Sequence, residues 1–161
     1  GLHFNSWLAG RPSKLKVYGP EGIENLTQGF EQAYALDTKF RVEHHGEEIL
    51  PLSVAGYDPI TLNSEGEIII DDGNLKVTAF SVIHEPIDPA FGYRFDYKGR
   101  SIVISGDTLY SKNLVNNSKK VDVLFHDAIS LDTVHIMREV AFEQNNKTIT
   151  KVLESESFLF L

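Results

Sequence analysis

The stretch Leu75-Lys76-Val77-Thr78-Ala79-Phe80-Ser81-Val82-Ile83-His84 constrains the fold more than any other. It is rich in β-branched residues, alternates early and turns apolar towards its end, the pattern of a long strand. Asp71-Asp72-Gly73-Asn74 precedes it as a hairpin turn, because Asp-Gly and Gly-Asn tolerate positive φ. After it, residues 92–97 alternate aromatic and polar side chains and predict the next strand. Lys98-Gly99-Arg100 is a tight connection, and residues 101–105 predict a short, buried strand. One apolar run therefore ends in a histidine and another in Gly106-Asp107-Thr108. Neighbouring strand ends are close in space, so His84 and Asp107 are candidates to converge on one metal or substrate.

Around this centre the chain alternates. Leu15-Lys16-Val17-Tyr18 is a short strand closed by Gly19-Pro20. Ile23, Leu26, Phe30, Ala33 and Tyr34 recur at helical spacing and predict a helix over about 23–36. Residues 37–59 are mixed; Arg41-Val42-Glu43-His44-His45-Gly46 carries two adjacent histidines that in a strand would face opposite ways and not share a ligand, so a polar loop or edge is expected ahead of a metal site. Residues 58–62 and 67–70 suggest two strands around the turn Asn63-Ser64-Glu65-Gly66. Ser111 caps a short helix to about Lys119, and residues 121–126 form a second buried-type strand. Ser130 caps a helix to about Gln144, with Val134, Met137, Val140 and Ala141 as its apolar face, and a further helix follows. Strands followed by strand–helix alternation give an α/β arrangement with helices packed on sheet.

Composition narrows the chemistry. At 161 residues, 42% hydrophobic and 11% aromatic, the chain holds enough apolar material for one domain with a real core. A formal net charge of -8 with no Lys/Arg run disfavours unaided nucleic-acid binding. With no cysteine, a metal can be held only by His, Asp or Glu. No apolar run is long enough for a membrane span, so a soluble protein of the cytoplasm or periplasm is expected. Gly1 at the start and Phe158-Leu159-Phe160-Leu161 at the end suggest a fragment truncated at both ends. That apolar tail would be covered by dimerisation or by a missing part of the protein.

Taken singly, His84 is better explained as a half-buried strand-end histidine with a satisfied hydrogen bond, and Asp107 has its own plain explanation as a turn carboxylate bonded to nearby backbone N–H groups. Taken together they supply an imidazole nitrogen and a carboxylate able to bridge two metals, an arrangement suited to ester or phosphodiester hydrolysis. Gly106 would let the backbone turn sharply and aim Asp107 out of the sheet.

An ordered set of motifs spans about Trp7 to Val152. It comprises Val17-Tyr18-Gly19-Pro20-Glu21-Gly22, His84 with Pro86 and Gly92-Tyr93, Ser105-Gly106-Asp107-Thr108, and Val121-Asp122-Val123-Leu124-Phe125-His126-Asp127-Ala128. It resembles the metallo-β-lactamase superfamily in its ribonuclease Z / arylsulfatase-like branch. The resemblance implies a four-layer αββα sandwich, incomplete in this chain, with two divalent metal ions, usually zinc and sometimes manganese or iron. It places a metal ligand on His84 and the bridging, catalytic carboxylate on Asp107. His126 falls outside the standard ligand positions and is read as structural or as supporting the ligands.

The chain departs from that pattern at both ends. The His-x-His-x-Asp-His motif would lie upstream of Gly1, and the family's last ligand histidine has no counterpart. The resemblance implies, for the intact protein, a hydrolase of phosphodiester or other esters working through a hydroxide that bridges two metals, with the present chain alone inactive. Its acidity points to small phosphodiesters or esters ahead of RNA. The alternative is a degenerate, non-catalytic domain of the same fold acting in binding or assembly.

Overall fold

A computed structural model describes residues 1–158, with side chains as far as Leu153. The apolar tail at residues 158–161 lies, but for the backbone of Phe158, outside the described residues. Two compact units divide the chain, residues 1–64 and 65–161.

In the first unit, helix α1 (Leu2–Leu8) leads into strand β1 (Leu15–Gly19), and helices α2 (Ile23–Ala33) and α3 (Ala35–His45) carry the chain to strand β2 (Tyr57–Thr61). β2 lies parallel to β1, with Leu15 opposite Tyr57 and Gly19 opposite Thr61. A parallel pair needs such a crossover. β2 therefore does not form the expected hairpin with residues 67–70; it pairs with β1 instead. α2 packs closely on β1, since a Cβ on Gly19 would sit 2.9 Å from the Ile23 side chain. Trp7, Leu50 and Ala55 form the core of this unit, with Phe4, Val42 and Val54 against them.

The expected polar loop at residues 41–46 is helical as far as His45, and Gly46 ends the helix. Tyr34 breaks the long helix, and α3 runs on to His45. Two i,i+4 pairs favour it, Asp37–Arg41 at 2.7 Å and Lys39–Glu43 at 3.6 Å. His44 and His45 fall in its last turn, where side chains of this type complement the helix dipole.

The second unit is a five-stranded sheet in the order β3 (Ile68–Asp71), β4 (Leu75–His84), β5 (Ile87–Tyr97), β6 (Arg100–Ile104), β7 (Val123–Phe125). The first four strands are antiparallel and β7 joins β6 in parallel. The Asp72 turn forms as expected, its Oδ1 accepting from the N–H groups of Asn74 and Leu75 at 2.9 and 2.8 Å. β5 starts earlier than the alternation predicts, so Glu85 and Pro86 make the hairpin turn directly after His84.

Helix α4 (Lys112–Asn117) packs on β4, capped by the Ser111 side chain at the Leu114 N–H. Phe80, Val82, Val103 and Leu114 make the core there, with Ala90 and Val121 alongside. Complete burial of such side chains stabilises by about 1.5–3 kcal/mol each. Helices α5 (Leu131–Glu143) and α6 (Lys147–Phe158) pack on one another. Ser130 caps α5 by accepting from the Thr133 N–H.

Neither β6 nor β7 is buried as expected. β6 buries Ser101 and Val103 but exposes Ile102 and Ile104, and all three residues of β7 are exposed. β7 is the edge strand, so among the described residues nothing pairs with its outer side. Likewise Met137 and Val140 on α5 are exposed while Val134 and Ala141 are buried. No described helix is long and apolar enough to cross a membrane.

Candidate metal centre

β4 and β6 run antiparallel to the strand between them, so the C-terminal ends of both lie at the same end of the sheet. A register shift falls between Val82 and His84, the kind of irregularity that re-aims a side chain at a strand end. At that end His84 Nε2 lies 3.0 Å from Asp107 Oδ2. The imidazole is the more sheltered partner at 26% exposure; the carboxylate, at 74%, opens to solvent.

The Gly-Asp-Thr turn is built to hold this geometry. Gly106 has φ +69, and a Cβ there would sit 2.7 Å from the Phe91 carbonyl oxygen, so only glycine fits without strain. Thr108 is buried, and its Oγ1 accepts from the Ile83 N–H at 3.2 Å. The Leu109 N–H donates to the Ile83 carbonyl at 2.8 Å. Both sides of Ile83 thus tie the turn to the residue before His84. Gly92 on the intervening strand leaves room for Phe80, whose ring would lie 2.6 Å from a Cβ there.

Ser105 links this turn to β7. Its N–H donates to the Phe125 carbonyl at 2.9 Å. Its hydroxyl, on a buried residue, lies 3.3 Å from both the Asp127 N–H and Asp127 Oδ1. A further carboxylate, Asp127, is thereby fixed beside the residue that precedes Gly106. The sequence puts Asp127 in the last of the ordered motifs without giving it a role; the structure adds its place after a strand parallel to β6. His126 turns its Nδ1 to the Asp127 backbone oxygen at 2.7 Å and carboxylate at 2.9 Å.

The other histidines serve elsewhere. His3 stacks on Tyr57 at 4.3 Å between ring centroids, with Nε2 at the Ala55 carbonyl, and burial lowers its pKa. His44 and His45 contact each other edge-on. His135 lies on α5.

As donors, an imidazole nitrogen and a carboxylate 3.0 Å apart suit one edge of a divalent-metal site. They do not complete it. A catalytic zinc commonly takes three protein ligands, and among the described residues no group of three or more His, Asp or Glu is placed to hold a metal.

A family model, the beta-lactamase superfamily domain, matches residues 5–154. The chain belongs to the beta-lactamase superfamily. Within that superfamily it is similar to ribonucleases Z, among others. The ribonuclease Z of Mycobacterium avium (strain 104) is 28% identical over 123 residues, which cover 76% of this chain and 42% of that protein. The ribonuclease Z of Mycobacterium tuberculosis (strain ATCC 25618 / H37Rv) is 26% identical over 132 residues, covering 80% and 46%. The chain thus spans under half the length of these curated relatives. The crystal structure of human tRNase Z, short form, shares the fold at a TM-score of 0.51 and 23% identity, over 80% of this chain and 51% of that one. The mixed α/β architecture is therefore that of the metallo-β-lactamase superfamily.

Proposed function

We propose that the whole protein is a metal-dependent hydrolase of phosphodiester bonds, with His84 and Asp107 among the ligands of its metal centre. The observation that carries this reading is the 3.0 Å approach of His84 Nε2 to Asp107 Oδ2 at one end of the sheet. Divalent ions bound there would supply Lewis acidity and a more acidic water. His84 would offer an imidazole nitrogen. Asp107 would offer a carboxylate largely open to solvent, free to bridge two ions. Thr108 and Gly106 would keep that carboxylate in place. The remaining ligands would come from parts of the protein outside these 161 residues.

Membership of the superfamily and the similarity to ribonucleases Z support RNA as the substrate class. The formal charge of -8 leaves small phosphodiesters as the competing class. Zinc is the proposed metal, with manganese or iron as substitutes. The test is hydrolysis by the intact protein, with zinc or manganese added, of a short RNA and of bis(p-nitrophenyl) phosphate. Asp107→Ala is expected to reduce both activities to background; full turnover in that variant would refute the assignment.

A second reading, a non-catalytic binding or assembly domain of the same fold, draws on the absence of a three-ligand group among the described residues. The metal content of the intact protein separates the two.

A further inference from the structure

Two hairpin ends and one loop meet at the end of the sheet away from His84 and Asp107. Leu75 to His84 is ten residues of strand, so the two ends of the sheet are about 30 Å apart. There a cleft of about 500 Å³ opens. Lys76, Arg94, Lys98, Arg100 and Lys120 line it. These are five of the chain's 15 Lys and Arg residues, in a protein of formal charge -8. Asp71 and Asp96 also line it, and Asp122 pairs with Arg100 at 2.9 Å, so cations remain in excess.

The framework holds these cations in place. Arg94 binds the Asp96 carboxylate at 2.8 Å and also donates to the Asn117 carbonyl at 2.6 Å, which fastens the loop carrying Lys120 to β5. Asp122 Oδ2 accepts from the Ser101 N–H at 2.7 Å, which fixes the same loop to β6. Lys98 and Lys120 both occupy left-handed backbone, with φ 46 and 57. Side chains added at Gly73 and Gly99 would meet only open space, so the mouth is clear. Lys98 Nζ lies 5.3 Å from the centre of the exposed Tyr97 ring. Among the described residues no ion pair engages Lys98 or Lys120; Lys76, opposite Asp96 across the sheet, acts on that carboxylate electrostatically.

We infer that this cleft is a phosphate-binding site, separate from the metal centre. Lys98 and Lys120, outside any ion pair, line one concave place together with Lys76 and the two paired arginines, so positive charge there is only partly offset. A multiply charged anion offsets the remainder and can be met by several donors at once. Phosphate is the anion that fits a lysine-rich site of this kind, and it has two sources: a small phosphorylated ligand or the backbone of a single-stranded nucleic acid.

Titrations of the full chain with inorganic pyrophosphate and with a fluorescent single-stranded oligouridylate distinguish the sources. Both are run in chelator, so the result does not depend on the proposed metal chemistry. Saturation by pyrophosphate identifies a small-ligand site; saturation by the oligomer alone identifies nucleic-acid backbone. In either case the Lys98→Asn/Lys120→Asn double variant is expected to weaken binding about tenfold, asparagine being chosen because it tolerates left-handed backbone. Oligomer contacts to two phosphates should lose about sevenfold in affinity between about 50 and 200 mM salt. Lys76→Gln, at a regular strand position, repeats the test without touching a turn. Failure of both probes to saturate at low salt, or binding unchanged in the folded variants, overturns the proposal.

Discussion

Thr108 accepts the Ile83 N–H at 3.2 Å through its side-chain oxygen, and so joins the turn carrying Asp107 to the strand carrying His84. Thr108→Val removes that acceptor and leaves a backbone donor unsatisfied. The expected loss is about 1–3 kcal/mol of stability. Denaturant unfolding measures it, and Thr108→Ser, which keeps the hydroxyl, should recover most of it.

Gly106 sets the direction of the same turn. Its φ is +69, and the methyl of an alanine there would lie 2.7 Å from the Phe91 carbonyl oxygen, so alanine has no room. Gly106→Ala is expected to cost about 1–3 kcal/mol. It should also weaken metal binding in the intact protein more than Thr108→Ser does, as read by calorimetric titration with zinc.

The core beneath α4 gives a prediction independent of the metal. Leu114 is 4% exposed and meets Phe80, Val82 and Val103. Leu114→Ala should cost about 2–5 kcal/mol. Ser111→Ala, which removes only the helix cap, should cost about 1 kcal/mol. Thermal unfolding of the two variants should preserve that order.

Asp122 predicts a pH dependence. The Ser101 N–H, then the Arg100 guanidinium, hold its carboxyl below the ordinary carboxylate range. A depressed folded-state pKa stabilises above the unfolded value of about 3.9 and ceases to do so as pH falls through the folded value. Asp122→Asn should therefore be less stable than the parent at neutral pH, and the gap should close in acid below about pH 4. Urea unfolding of both proteins across that range checks the sign.

What the sequence disclosed follows the range over which each feature is decided. The Asp72 turn, β4 to its last residue, and the Ser111 and Ser130 caps depend on a few neighbouring residues, and all were legible. The partner of β2 was not, because turn residues 63–66 suit a hairpin as well as a passage between sheets, and the choice rests on β1, far back along the chain. α3 was missed because its apolar residues, Leu36 and Phe40 among them, stay exposed, and its charges and paired histidines suit a loop as well. The apolar letters of β7 suggested burial, but exposure depends on what lies across the edge. The proximity of His84 and Asp107 was foreseeable from two strand ends, whereas the tie from Ser105 to Asp127 needed the parallel pairing of β6 with β7.

If His84 and Asp107 hold metal, the intact protein carries it and loses it when either side chain is removed. The most direct measurement is the metal content of the intact protein, purified without added chelator, beside His84→Ala and Asp107→Ala. About two equivalents of divalent metal are expected in the parent, as a two-metal hydrolytic site requires, with a marked loss in both variants. Metal content unchanged by either substitution, or a parent protein that takes up none, would contradict that assignment.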